Sequence, residues 1–90
     1  MDYEAPDPVR LIRERIMMGL RMGRGLDAGA LLDDLEAIRP GASEALRRAS
    51  DRLQDKEYML ISEGHRRWTL TEAGFLLTDA IAADLMHVVA

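Results

Sequence analysis

The chain has 90 residues, with 12 Lys plus Arg against 16 Asp plus Glu, a net charge of −4 and 48% hydrophobic residues. That length makes one domain with a modest core, and that apolar content is too high for disorder. The sequence has no cysteine, which excludes disulfides, thiolate metal sites, iron–sulfur ligation and cysteine nucleophiles. The acidic balance weighs against a nucleic-acid backbone as the main partner, because phosphate contacts need a basic face.

In chain order, residues 1–7 read as a flexible, solvated lead-in, acidic and proline-bearing, the reverse of a secretory signal. No apolar run approaches the roughly 20 residues that span a bilayer, so the expectation is a cytoplasmic protein with a single domain over residues 8–90. Pro8 fits the first turn of helix one, which runs to about Met22. Val9, Ile12, Ile16 and Leu20 make one apolar stripe along it, and Leu11, Met18 and Met22 make a second on roughly the opposite side. A small domain cannot cover both sides of a helix. The second stripe is therefore the candidate interface, while Met17, between the two, reads as core. Gly19 lies where it lets another backbone come close. Gly23 and Gly25 are expected to supply the left-handed turn that ends the helix, and Asp27 to cap the next one.

Helix two is expected from Ala28 to about Ile38, with Leu31, Leu32, Leu35 and Ile38 inward and Asp33, Asp34 and Glu36 in water. Pro40-Gly41 breaks the chain. Helix three runs from Ala42 or Ser43 to about Gln54, with Ala45, Leu46, Ala49 and Leu53 inward. The period then changes. Residues 57–62 and 66–70 read as two strands joined by Glu63-Gly64-His65, a hairpin. Thr71 is expected to cap a final helix from Glu72 to about His87, with Gly74 in its first turn packing closely on a neighbour. Its inward face reads as Ala73, Leu76, Leu77, Ala80, Ile81, Leu85 and Val88. Trp68 is expected to be buried between the hairpin and a helix. The fold class is thus mostly α with a small β-hairpin: three helices, a two-stranded wing and a C-terminal helix, winged-helix-like.

Helix three carries Arg47, Arg48, Arg52 and Lys56, and the wing adds His65, Arg66 and Arg67. In a DNA-binding module these would be the nucleic-acid contacts. The competing reading is a solvated face laced with Glu44–Arg48 and Arg47–Asp51 pairs at i, i+4 spacing. A metal or heme-iron ligand would have to come from His65 or His87, and His87 fits better as a dipole contact at a helix C-terminus. Asp84 interrupts the last apolar face and is expected to pair with an arginine of helix one. No carboxylate pair, serine–histidine arrangement or phosphate loop suggests catalysis.

The segments Met18-Gly19-Leu20-Arg21-Met22-Gly23-Arg24-Gly25-Leu26-Asp27, Arg67-Trp68-Thr69-Leu70-Thr71-Glu72-Ala73-Gly74-Phe75 and Thr78-Asp79-Ala80-Ile81 carry a family resemblance. Together they resemble the C-terminal domain of the oxygen-independent coproporphyrinogen oxidase-like family of radical-SAM proteins, which includes heme chaperones. The resemblance spans residues 9–86. It implies a noncatalytic accessory domain, not an enzyme on its own. Such a domain packs on a barrel, in cis or in trans, and borders a porphyrin or heme pocket. The family's S-adenosylmethionine, [4Fe-4S] cluster and heme belong to that barrel, and no catalytic, cofactor-binding or metal residue carries over to this chain. Leu11, Met18 and Met22 would meet the barrel. The other expectations are a winged-helix DNA-binding module, with Arg47, Arg48, Arg52, Arg66 and Arg67 as contacts, and a small homodimer built on the methionine stripe.

Overall fold

The computed structural model describes residues 7–62 and 64–89. Most of the expected lead-in, residues 1–6, lies outside the described residues, as does Glu63 of the expected hairpin turn. Five helices and three strands occur among the described residues: α1 Pro8–Arg21, β1 Leu26–Asp27, α2 Ala28–Ile38, α3 Ala42–Asp55, β2 Met59–Ser62, β3 Arg67–Leu70, α4 Glu72–Phe75 and α5 Thr78–Val89. The fold is mostly helical, with a small antiparallel sheet in the order β1-β3-β2.

Asp7 opens α1: its side chain accepts from the Val9 N–H at 3.0 Å, and Pro8 takes the first helical position. The first apolar stripe packs inward, with Ile12, Ile16 and Leu20 buried and Val9 half-buried against them. Met22 ends the helix in an extended conformation, φ −85° and ψ 140°. The left-handed residue that follows is Gly25 alone, at φ +84°. Gly23 is not left-handed, and a β-carbon there would meet nothing within 4 Å. One left-handed residue suffices, because the extended Met22 has already carried the chain off the helix axis.

Gly25 leads into β1, a strand that helical periodicity does not announce. A β-carbon on Gly25 would lie 2.5 Å from the Trp68 carbonyl oxygen. Only glycine lets this backbone press against β3, and that approach seats Leu26 opposite Trp68 and Asp27 opposite Arg67. Asp27 closes the strand and caps α2, accepting from the Ala30 N–H at 3.2 Å. On the other side of β3, Ile61 of β2 sits opposite Trp68. Trp68 is therefore flanked by apolar residues from both neighbours and is fully buried, as its aromatic area demands.

In α2, Leu31, Leu32 and Leu35 are buried as expected, but Ile38 in the last turn is 39% exposed. In α3 the buried face is Leu46, Ala49, Ser50 and Leu53, and Ala45 lies outside it. The face is rotated because Ser50 can be buried at low cost: its hydroxyl donates to the Arg47 carbonyl at 2.7 Å.

The expected single C-terminal helix is two helices. Thr71 does cap α4, accepting from the Gly74 N–H at 3.1 Å. A β-carbon on Gly74 would overlap the Tyr58 carbonyl oxygen, so α4 is pinned against the chain entering β2. The Leu77 N–H closes onto the Gly74 carbonyl, and the Thr78 hydroxyl onto that of Phe75, which turns the chain into α5. The continuous stripe therefore breaks. α5 buries Ile81, Ala82, Leu85 and Val89, Val88 is half-buried, and Ala73, Leu76, Leu77 and Ala80 are left outside. Asp84 is exposed; the ion pair that ties α5 to α1 runs instead from Asp79 to Arg21, at 2.8 Å.

Candidate docking surface

The outward side of α1 carries large apolar residues among exposed charged ones, Arg10, Glu14 and Arg21. Leu11 is 49%, Met18 68% and Met22 50% exposed, and Met17, expected as core, is 37% exposed. The cause is geometric. The inward arc of α1 is filled by Ile12, Ile16, Gly19 and Leu20, and among the described residues no element covers the arc that carries Leu11, Met18 and Met22. Gly19 brings β1 against the helix: a β-carbon there would lie 2.4 Å from Leu26 Cδ1. Leu11, Met18 and Met22 thus line an open groove of about 690 Å³ with Gly19, Gly25 and Leu26, and the charged residues Glu14, Arg15, Arg24, Asp27 and Arg67 line it too.

A second groove, of about 350 Å³, shares Leu11 and Arg15 with the first and adds Pro8, Ala37 and Ile38. The surface therefore extends beyond the residues singled out from sequence, and Ile38 belongs to it. Charged groups near it are mostly engaged at home. Arg15 pairs with Asp34 at 2.7 Å, Arg10 with Glu14 at 3.4 Å, and Arg67 donates to the Arg24 carbonyl at 3.0 Å. Beyond the Arg21–Asp79 pair lies another exposed apolar run, Phe75, Leu76 and Leu77, at 56%, 83% and 42%. Sequence reasoning placed two of these inward. The available signal was their adjacency, since three consecutive large side chains cannot all face one side of a helix.

The alternative nucleic-acid residues do not converge on one cavity. Arg47 and Arg66 line one of about 470 Å³, together with Asp27, Asp33 and His65. Arg52 lines another with Lys56, Asp84 and His87. Arg67 belongs to the α1 groove. Arg48 pairs with Glu44 at 3.5 Å, as spacing predicts, but Asp51 meets His65 Nε2 at 3.1 Å instead of Arg47. Acidic groups thus stand among the cations of α3 and the hairpin.

Among the described residues, no group of three or more His, Cys, Asp or Glu side chains is placed to hold a metal ion. His65 is engaged by Asp51 and Trp68, and His87 lies exposed in the last turn of α5. No described helix is long and apolar enough to cross a membrane. Comparison with protein-family models, curated proteins and solved structures returns no match to this chain.

Proposed function

We propose that this chain is a noncatalytic accessory domain of winged-helix-like architecture that docks on a larger protein body through the outer face of α1. The observation that supports this most is the exposure of Leu11, Met18 and Met22 along one helix face, at 49%, 68% and 50%. Contiguous exposed apolar surface of this kind marks interaction sites. Methionine suits such a surface because its unbranched, polarizable side chain adapts to a partner. The resemblance to the C-terminal domain of oxygen-independent coproporphyrinogen oxidase-like proteins and heme chaperones supplies the partner: a radical-SAM barrel, in cis or in trans, in the cytoplasm. In this reading the domain borders the porphyrin or heme pocket. The S-adenosylmethionine, the cluster and any heme are held by the barrel, with no membrane involved.

The test is a sedimentation-velocity experiment on the chain mixed with a coproporphyrinogen oxidase-like barrel that lacks its own C-terminal domain. A one-to-one complex is expected. Self-association of the chain with no complex would favour a homodimer on the methionine stripe. Binding to duplex DNA that weakens steeply with salt, with no complex, would favour the nucleic-acid reading through Arg47, Arg48, Arg52, Arg66 and Arg67. Either result would overturn the docking proposal.

A further inference from the structure

Trp68 is fully buried, and its indole N–H has an acceptor in His65 Nδ1 at 3.2 Å. An indole N–H can only donate, so Nδ1 must present a lone pair to it. A neutral imidazole with a bare Nδ1 carries its proton on Nε2, and Nε2 faces Asp51 Oδ1 of α3 at 3.1 Å. The backbone sets this bridge: His65 is held at φ +72°, which brings its ring edge-on to Trp68 with centroids 6.0 Å apart. The neutral ring thus links the centre of the sheet to α3 by one bond on each nitrogen.

We infer that His65 is a proton-operated joint that ties Trp68 to α3 when neutral and releases Trp68 when charged. Taking a proton from solvent puts a hydrogen on Nδ1, and two donors then face each other. The bond to Trp68 is lost and the bond to Asp51 becomes an ion pair. Histidine is the side chain whose ordinary titration falls between about pH 5 and pH 8. Several charged groups stand near the ring: Asp51 of α3, which meets Nε2, and Asp27, Asp33, Arg47 and Arg66, which line the adjoining cavity with it; Arg67 follows two residues later in β3. Trp68 is paired in register with both Leu26 and Ile61, so the residue that loses this indole hydrogen bond sits in the central strand of the sheet.

The chain has a single tryptophan, so its indole N–H gives one resonance in a nitrogen–proton correlation spectrum. The experiment follows that resonance and the His65 ring protons on the full chain from about pH 8 to about pH 5. Far-UV dichroism defines the range over which the fold persists. The expected result is an upfield indole shift that tracks the His65 titration. The shift should disappear in His65→Asn, which tolerates the left-handed backbone, and persist in His87→Gln. An indole resonance that stays fixed while His65 titrates would overturn the inference, as would a shift that survives in His65→Asn.

Discussion

Gly25 and Gly74 hold two backbone contacts that no other residue allows. At Gly25 the constraint is double, a left-handed φ of +84° and a β-carbon position 2.5 Å from the Trp68 carbonyl oxygen. Gly25→Ala is expected to lower stability by more than about 1 kcal/mol in urea unfolding, whereas Gly23→Ala, with open space and no left-handed φ, should cost nothing. Equal losses at the two positions would reject this account of the turn. Trp68→Ala is expected to cost about 3–5 kcal/mol, the range for truncating a buried aromatic. The wild-type emission should be blue-shifted relative to the urea-unfolded chain, and matching spectra would contradict it. Trp68's burial was legible in the sequence, since the chain has one tryptophan and one phenylalanine and a small core needs its aromatic area. Phe75 shows the limit of that reasoning: it is 56% exposed, because the contact made by Gly74 fixes where its neighbour points.

The elements whose ends carry a local signal were legible almost to the residue. α1 and α2 follow from Pro8, the apolar period and Asp27, and α3 from the Pro40-Gly41 break. What sequence could not reveal is set by long-range contact. β1 exists because Gly25 meets Trp68, and α4 separates from α5 because Gly74 meets Tyr58. Thr71 anchors that second contact, accepting from the Gly74 N–H and donating to the Glu57 carbonyl at 2.6 Å. Thr71→Ala should therefore cost about 1–2 kcal/mol in a thermal or urea melt, as for a strong N-cap; no loss would mean the cap is idle. The α2–α3 junction carries a pH signature. Glu36 accepts from the Ser43 hydroxyl and the Gly41 N–H, and these bonds, the Ser43 one foremost, hold its carboxyl below the usual glutamate range. A depressed native pKa gives stability that is present above the unfolded value and is lost as pH falls through the native one. Wild type should thus be more stable than Glu36→Gln at neutral pH, with the gap closing in acid below the ordinary carboxylate range. A gap that is constant with pH would show that Glu36 acts through something other than its charge.

At the scale of the whole molecule, the chain has a core that includes Trp68 and an α1 face on which Leu11, Met18 and Met22 are left exposed. That exposure was legible because two stripes on opposite sides of one helix exceed what a domain this small can bury. The extension of the surface to Ile38 was not, since an isoleucine in phase with Leu31 and Leu35 reads as inward unless the end of the helix is known to overhang. Nor was the exposed run Phe75-Leu76-Leu77, which followed from the break between α4 and α5. The central claim is that the α1 face serves a partner and not the fold. It is tested most directly by titrating the coproporphyrinogen oxidase-like barrel with wild type and with Met18→Asp in a calorimeter. The variant should keep the wild-type dichroism spectrum and bind at least about 10-fold more weakly, a loss of about 1.4 kcal/mol. Unchanged affinity, or a variant that no longer folds on its own, would place Met18 outside the interface or inside the core and contradict the claim.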